Sequence, residues 1–358
     1  MDEVEALLAQ APFALGATAK RDSFAAALGE LSRHHQQGCD GYARILSVLD
    51  FDPHQPHAAE DFPPLPTRLF KRQRLQSIPD AAVHKVLTSS GTSGQSPSRI
   101  VLDSLTAGLQ TRILTRIVSD FIGKSRLPLL IIDAPSTVKS RTAFSARAAG
   151  ILGFSIFGRN PTYALTDDMG LDWDNLDRFL AAHGNGPVLL FGFTFMVWSH
   201  FVAALRAAGR RLALDQGILI HGGGWKKLED SAVDDTAFKA GLAEVAGIGA
   251  VHNYYGMVEQ TGSIFMECEA GHLHCPLYCD IIIRDSDFTP LALGQRGLVE
   301  LISLLPRSYP GHVLLTEDEG TIIGQDDCAC GRPGKYFRIH GRAAMAETRG
   351  CSDTYGGK

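Results

Sequence analysis

Short apolar runs alternate with helix-like segments through the middle of the chain. Each run has strand length and is bounded by glycine, proline or polar residues, which is typical of buried strands. The runs are AVHKVLTSS, SRIVLD, LPLLIID, GPVLLFG, GILIHGG and GAVHNYYG. Between the second and third runs, residues 104–123 have apolar positions at helical spacing, and Asp103 or Ser104 precedes them as a candidate N-cap. This alternation predicts an α/β fold with buried, largely parallel sheets.

The two ends of the chain have different patterns. Residues 1–80 have apolar positions at helical spacing, such as Phe24, Leu28 and Leu31, and include a connector rich in proline and histidine over 51–67. After residue 262 the runs are strand-like: GSIFMEC, CDIIIRD, GLVELIS, HVLLTED, GTIIGQD and KYFRIHG. We therefore expect a helical region over 1–80, an α/β core over 81–261, a β-rich lobe over 262–345 and a tail over 346–358.

Composition and charge exclude several classes of function. The 358 residues include 34 Lys and Arg against 39 Asp and Glu, a net charge of −5, so nothing indicates a basic surface for nucleic acid. The longest apolar run, Val188 to Trp198, is far shorter than the ~20 residues of a membrane span. The acidic start does not resemble a signal peptide. Seven cysteines without an export signal indicate reduced thiols in a cytoplasmic protein.

A loop rich in hydroxyl groups follows the first predicted strand. Five of the six residues from Thr88 to Ser93 carry a hydroxyl group, and the spacing is not that of a Walker A loop. Hydroxyls donate hydrogen bonds to phosphate oxygens, and glycines let backbone amides approach a ligand. The pattern indicates a phosphate-binding loop, with a solvated turn as the alternative. The candidate residues are Thr88, Ser89, Ser90, Gly91, Thr92, Ser93 and Gly94.

Two further segments follow predicted strands, at the sheet edge where open α/β sheets bind ligands. In the first, an aromatic face can stack on a purine, and a carboxylate beyond a glycine turn can hold Mg²⁺. The second is a run of three glycines, which is costly in chain entropy unless something approaches the backbone. The alternatives are an ordinary strand end and an ordinary loop. The candidate residues are Tyr254, Tyr255, Gly256 and Glu259, and Gly222, Gly223 and Gly224.

Together these segments resemble those of the adenylate-forming superfamily of acyl and aryl ligases. The resemblance implies that Thr88 to Gly94 hold the ATP phosphates, that Tyr254 or Tyr255 stacks on adenine, and that Glu259 binds Mg²⁺. It also implies that the glycine run forms part of the adenine and acyl pocket, that Asp318 bonds the ribose hydroxyls, and that Arg342 lies near ribose or phosphate. The implied fold is the N-terminal-domain type of these enzymes, with layered, mostly parallel sheets, helices and a smaller β-rich C-terminal lobe.

The superfamily normally continues into a mobile C-terminal domain with a catalytic lysine, which this chain, ending at Lys358, is expected to lack. The chain resembles a branch that is similarly truncated, the acyl-protein synthetases of the LuxE type. The resemblance lies in LFK at 69–71, GGWKK at 223–227, YGMVEQ at 255–260 and RGCSDTY at 349–355. It implies that Cys351 accepts the acyl group. Lys226, beside the glycine run, is our candidate for the missing cation, and this hypothesis rests on position alone.

The remaining cysteines form a second pattern, in MECEAGHLHCPLYC and DDCACGRPG. Thiolates and imidazoles in two short clusters match the tetrahedral preference of Zn²⁺, and related aryl-CoA ligases have a similar Cys-x-Cys-Gly-Arg segment. Buried free thiols are the alternative, and Cys275 or His272 could replace the histidine of the preferred set. The preferred ligands of a structural zinc ion are Cys268, His274, Cys328 and Cys330.

The sequence thus predicts an enzyme that uses ATP and Mg²⁺ to activate a carboxylic acid as acyl-AMP. The family resemblance favours a long-chain fatty acid, which Cys351 takes as a thioester and passes to a partner such as an acyl reductase or a carrier protein. One alternative is an aryl- or acyl-CoA or carrier-protein ligase that uses an external thiol. A second alternative is a non-catalytic nucleotide-binding subunit.

Overall fold

The computed structural model describes residues 2–89, 97–139, 146–225 and 233–343. The predicted site residues Ser90 to Gly94, Lys226 and Cys351 lie outside these ranges.

The described helices are α1 (Asp2–Ala9), α2 (Ala17–Gly38), α3 (Asp40–Val48), α4 (Leu69–Arg72), α5 (Ser104–Ile122), α6 (Ser136–Lys139), α7 (Ala146–Ser155), α8 (Trp173–His183), α9 (Thr194–Met196), α10 (Ala203–Ala207) and α11 (Asp235–Ala246). The described strands are β1 (Leu65–Pro66), β2 (Lys85–Thr88), β3 (Arg99–Leu102), β4 (Leu127–Ile131), β5 (Gly158–Tyr163), β6 (Val188–Phe193), β7 (Gly217–Gly222), β8 (Ala250–Tyr255), β9 (Phe265–Met266), β10 (Leu273–His274), β11 (Cys279–Arg284), β12 (Arg296–Ser303), β13 (Val313–Gln325) and β14 (Lys335–Arg342).

Aspartate caps begin three of the longer helices. The Asp103 carboxylate accepts a hydrogen bond from the amide of Thr106 at 2.7 Å, so Asp103 is the cap of α5. Asp172 and Asp234 cap α8 and α11 in the same way. Each cap satisfies a backbone donor that the first turn of a helix leaves without an intrahelical partner. These short polar side chains therefore fix where the helices between the strands begin.

The described residues divide into two compact units, and the first comprises those up to Phe121 and from Gly256 onward. Its main sheet has the antiparallel order β10-β14-β13-β12-β11, and β1 pairs with β13 in parallel. Strands β2 and β3 form a separate antiparallel pair. Helix α2 buries Phe24, Leu28 and Leu31, the positions predicted from helical spacing. This unit contains the β-rich lobe together with the N-terminal helices.

The second unit, Ile122 to Tyr255, is built on a parallel sheet with the order β5-β4-β6-β7-β8. Strand β6 is buried at every position, as expected for a central strand whose two faces are both covered. Side chains of α8 and α11, such as Phe179 and Phe238, join its apolar core. Strand β5, GRNPTY, was not predicted, because it is polar and lies at the sheet edge.

These features confirm the predicted fold class, an α/β architecture with a mostly parallel sheet and a β-rich C-terminal region. One detail differs, because the predicted runs HVLLTED and GTIIGQD form the single strand β13, with a register shift between Glu319 and Gly320. In the described ranges, no helix is both long and apolar enough to cross a membrane.

Candidate active site

The base of the hydroxyl-rich loop is closed by hydrogen bonds in the first unit. Thr88, the last residue of β2, pairs with Arg99 of β3. The amide of Ser89 then donates to the carbonyl of Ser98 at 3.2 Å, and the amide of Ser98 donates to Ser89 Oγ at 2.9 Å. The two ends of the loop are therefore held side by side, and we call these residues, Thr88, Ser89, Ser98 and Arg99, the loop stem.

Glu259 lies in a short 3₁₀ helix, Val258–Gln260, whose backbone is anchored on both sides. Tyr309 Oη donates to the carbonyl of Glu259 at 2.7 Å. The side-chain amide of Gln260 donates to the carbonyls of Leu301 and Gly311, at 3.1 and 2.9 Å. These bonds fix the position from which the Glu259 carboxylate extends.

The Glu259 side chain is buried, with 7% of its surface exposed. Burial raises the pKa of its carboxyl, because a charge is costly away from water. The Ser98 hydroxyl and the positive charge of Arg342 oppose this rise in pKa, and the negative charge of Glu317 adds to it. The charges of Arg342 and Glu317 therefore influence the Glu259 carboxyl, and a cation beside the carboxylate would offset the cost of burying its charge.

Asp318 and Arg342, both predicted for the ribose end of the nucleotide, are paired across β13 and β14. Arg342 Nη1 is 3.2 Å from Glu317 Oε2, and Arg342 Nε is 4.0 Å from Asp318 Oδ1. The amide of Asp318 donates to Thr316 Oγ1 at 3.1 Å. Arg68 completes the group with a hydrogen bond to Glu317 at 2.7 Å. The first unit therefore brings Asp318, Glu317 and two arginines into one charged group.

In the second unit, the glycine run follows the carboxyl end of β7, next to that of β8. Gly222 pairs with Tyr254, and a Cβ atom added at Gly222 would lie 2.6 Å from the tyrosine ring. The Tyr254 ring also packs on Phe154, with centroids 4.9 Å apart. Because side chains alternate along a strand, Tyr255 points to the opposite face from Tyr254. Tyr254 is thus a packing residue, which distinguishes the two tyrosines.

The next glycine, Gly223, has a φ of +86°, and a Cβ atom there would meet the Phe193 ring at 2.6 Å. His221 is buried before it, and its Nδ1 lies 3.0 Å from Thr194 Oγ1, which also donates to the carbonyl of Gly222. Burial lowers the pKa of His221 to about 3, so the imidazole is neutral. Glycines therefore allow two aromatic rings to pack directly on the end of β7.

Four potential metal ligands lie together in the first unit. One ligand atom from each of Cys268, His274, Cys328 and Cys330 lies within 4.8 Å of all the others. This is the preferred set of the sequence prediction. Of the two alternatives, His272 Nδ1 approaches Cys328 Sγ at 3.6 Å, whereas Cys275 is fully buried and interacts with Asp280. The geometry suits a metal ion without showing one.

The sequence did not indicate Ser98, which closes the loop stem, or Tyr309, which holds the backbone of Glu259. A single serine or tyrosine carries no local signal of this kind. The clue for Ser98 is its place at the return of the hydroxyl-rich loop, directly before the predicted strand RIVL. Tyr309 is fifty residues from Glu259, so only the fold brings the two together.

Solved structures with a similar fold are adenylate-forming enzymes. 2-Hydroxyisobutyryl-CoA ligase, in an open conformation with 2-HIB-AMP and CoA, has a TM-score of 0.65 at 16% identity, over 92% of this chain and 76% of that chain. The same enzyme in its postadenylation state with 2-HIB-AMP has a TM-score of 0.68 at 17% identity. That match covers 91% of this chain and 68% of the enzyme chain. The chain therefore has the fold of the adenylate-forming ligases.

The model of the family described as acyl-protein synthetase, LuxE, matches residues 1–358, and the chain belongs to this family. Two relatives are named long-chain-fatty-acid–luciferin-component ligase. The one from Vibrio harveyi is 23% identical over 305 residues, 82% of this chain and 76% of the relative. The one from Aliivibrio fischeri is 22% identical over 313 residues, which cover 83% of this chain and 78% of the relative. The chain is accordingly an AMP-forming ligase that activates an acid with ATP.

Proposed function

We propose that this chain activates a long-chain fatty acid as acyl-AMP and then carries the acyl group on Cys351 to a partner protein. The observation that carries the proposal is the buried Glu259 carboxylate, whose pKa is influenced by the charge of Arg342, the residue that pairs with Asp318 across β13 and β14. Family membership supports the chemistry. The names of the two bacterial relatives support a long-chain acid as the substrate.

In the first step, a carboxylate oxygen of the acid attacks the α-phosphorus of ATP, and the bond from that phosphorus to pyrophosphate breaks. In the second step, the Cys351 thiolate attacks the carbonyl carbon, and AMP leaves with the electrons of the broken C–O bond. A nucleophile of the partner, such as an acyl reductase or carrier protein, then takes the acyl group and releases the thiolate. The six described cysteines are free thiols, which supports a reducing, cytoplasmic setting for this chemistry.

The residues of the first unit are assigned to the phosphates, ribose and metal. The segment from Thr88 to Gly94 holds the phosphates with hydroxyl and amide donors, and Asp318 and Arg342 take the ribose end. Glu259 suits Mg²⁺, because a buried carboxylate gains from a cation beside it. Bound there, Mg²⁺ would neutralise charge on the phosphates. A zinc ion on the cysteine and histidine cluster would be structural and outside this reaction.

Of the two tyrosines, we assign adenine stacking to Tyr255. The ring of Tyr254 packs between Gly222 and Phe154, so its faces are already used by the protein. Tyr255 has the other orientation and lies directly before Gly256, four residues from Glu259. The glycine run of 222–224 is assigned to the acyl side of the pocket, with aromatic rings packed on Gly222 and Gly223 and open space beside Gly224.

Lys226 is assigned to the leaving phosphates, whose negative charge a nearby cation would stabilise. Replacing Lys226 by alanine should lower acid-dependent ATP–pyrophosphate exchange by roughly 10²-fold, the usual effect of removing one charge-stabilising group. Lys227→Ala is the matched control, because it removes the same charge one residue away. Equal exchange by the two variants would remove Lys226 from the reaction.

The function is tested by acid-dependent ATP–pyrophosphate exchange with the full chain and a panel of fatty and aromatic acids. We expect exchange with long-chain acids and radiolabelled acid bound to the protein through a hydroxylamine-labile bond. Exchange without labelling, and product formed only with added CoA or carrier thiol, would identify a ligase that uses an external thiol. ATP binding without exchange for any acid would identify a non-catalytic nucleotide-binding subunit.

A further inference from the structure

Two turns of the first unit have the same construction. In one, the amide of Gly271 donates to the carbonyl of Cys268 at 2.9 Å, and Gly271 has a φ of +77°. In the other, the amide of Gly331 donates to the carbonyl of Cys328 at 2.9 Å, and Gly331 has a φ of +78°. A left-handed glycine reverses the chain after each cysteine, so each turn presents a thiol at its start. The two sulfur atoms lie 3.8 Å apart.

Two of the six separations among the sulfur and nitrogen atoms are close to the edges of a tetrahedron around zinc, and all six are within 4.8 Å. With Zn–S near 2.3 Å, two ligating sulfurs lie about 3.8 Å apart, and a Zn–N bond near 2.0 Å gives a sulfur–nitrogen edge of about 3.5 Å. Cys268 Sγ and Cys328 Sγ are 3.8 Å apart, and Cys330 Sγ lies 3.3 Å from His274 Nε2. A disulfide would need about 2.05 Å between the sulfurs.

Hydrogen-bond donors and an arginine near the cluster can stabilise negative charge on its thiolates. The amide of Arg332 donates to Cys330 Sγ at 3.5 Å, and His272 Nδ1 lies 3.6 Å from Cys328 Sγ. The Arg332 guanidinium lies over the Phe121 ring, with 4.2 Å to the ring centroid. Three thiolates around a divalent ion leave one net negative charge, which such donors and a nearby cation stabilise.

We propose that this cluster binds a structural zinc ion in a closed, four-ligand site. Three of the ligands are buried, and together the four supply three sulfurs and one nitrogen, a donor set typical of structural zinc. All four positions are filled by the protein, so no position remains for a substrate. The ligands are Cys268, His274, Cys328 and Cys330.

The ion holds a loop that has little regular structure of its own. Within 326–334, Asp326, Gly331 and Gly334 all have positive φ angles. The Asp326 carboxylate accepts hydrogen bonds from the amide of Ala17, at 3.1 and 3.0 Å, at the start of α2. Zinc therefore links the turn after β13 to the turn before β10, and through Asp326 to the N-terminal helices.

The test is metal analysis of the full chain purified without chelators. We expect about one zinc ion per chain in the wild type and in Cys279→Ser, a buried cysteine of β11 outside the cluster, and none in Cys328→Ser. Absence of zinc from the wild type, iron in its place, or equal loss in Cys279→Ser would overturn the proposal.

A second measurement covers the case in which Cys328→Ser fails to fold. Zinc is exchanged for Co²⁺ in the wild type and in Cys330→His, which keeps a ligand at that position. Both proteins should show the intense visible bands of tetrahedral cobalt, and the thiolate charge-transfer band should be about one third weaker in the variant, because one of three sulfurs is lost. Identical spectra, or no tetrahedral bands in the wild type, would contradict the assignment. Neither measurement depends on the proposed ligase activity.

Discussion

Replacing Glu259 by glutamine should reduce fatty-acid-dependent ATP–pyrophosphate exchange by roughly 10²–10³-fold, the scale of losing a preorganised charge contact to the phosphates. The amide has nearly the same shape as the carboxylate but lacks the charge that attracts Mg²⁺. Burial raises the pKa of the Glu259 carboxyl, so folding favours its neutral form, and the variant should unfold at the same temperature as the wild type or higher. Activity and stability should therefore change independently.

The pH profile gives this prediction a second readout. As the pH falls toward the raised pKa of Glu259, the carboxyl gains a proton and loses its affinity for Mg²⁺, so wild-type exchange should decline. Added Mg²⁺ competes with the proton and should move the decline to lower pH. Glu319→Gln is the control, because Glu319 pairs with Arg296. If Glu259→Gln exchanges as well as this control, or if Mg²⁺ leaves the profile unmoved, Glu259 does not hold the metal.

Replacing Cys351 by serine should abolish the hydroxylamine-labile labelling of the protein by radiolabelled fatty acid and leave ATP–pyrophosphate exchange unchanged. Exchange reports the formation of acyl-AMP, which is the first step, whereas the thiol acts only in the second step. The measurement is fluorography of the protein with and without hydroxylamine, beside an exchange assay of the same preparation. Loss of exchange as well would place Cys351 in the first step.

Other cysteines of the first unit supply the controls for Cys351. Burial raises the pKa of Cys279 to about 12, so its thiol is a poor nucleophile, and Cys279→Ser should label like the wild type. Cys330 is the more stringent comparison, because it is only partly buried and hydrogen bonds, chiefly from the Arg332 amide, outweigh burial and lower its pKa. Label that survives in Cys351→Ser and disappears in Cys330→Ser would make Cys330 the acceptor.

Much of the fold could be predicted because its signals are local. The apolar runs of β4, β6, β7 and β8 and the Asp103 cap of α5 are readable from neighbouring residues. Strand β5 could not be read this way, because its residues are mostly polar and its position is fixed by pairing with β4, which is distant in sequence. The π-helical turn of 197–202 also escaped prediction, since an apolar stretch fits several helical periods equally well.

For the candidate site too, features made by neighbouring residues could be predicted, whereas contacts between residues distant in sequence could not. Motifs such as the glycine run and the tyrosine–glycine–glutamate segment indicate a nucleotide site because their residues are close in sequence. The contacts that position the Glu259 segment come from Tyr309 and from the carbonyls of Leu301 and Gly311, which are distant in sequence, and no local pattern predicts them. The packing of Tyr254 on Phe154 is likewise a long-range contact that no local pattern predicts.

The pairing of Gly222 with Tyr254 constrains the size of the residue at position 222. Because a Cβ there would lie within 3 Å of both the ring and the carbonyl oxygen of Tyr254, a side chain at 222 requires a smaller residue at 254 together with a small shift of the backbone. Homologues with a side chain at 222 are therefore expected to carry a smaller residue at 254, whereas those that keep the ring should keep the glycine. Such covariation would show that the packing at the ends of β7 and β8 is maintained by paired changes at positions 222 and 254.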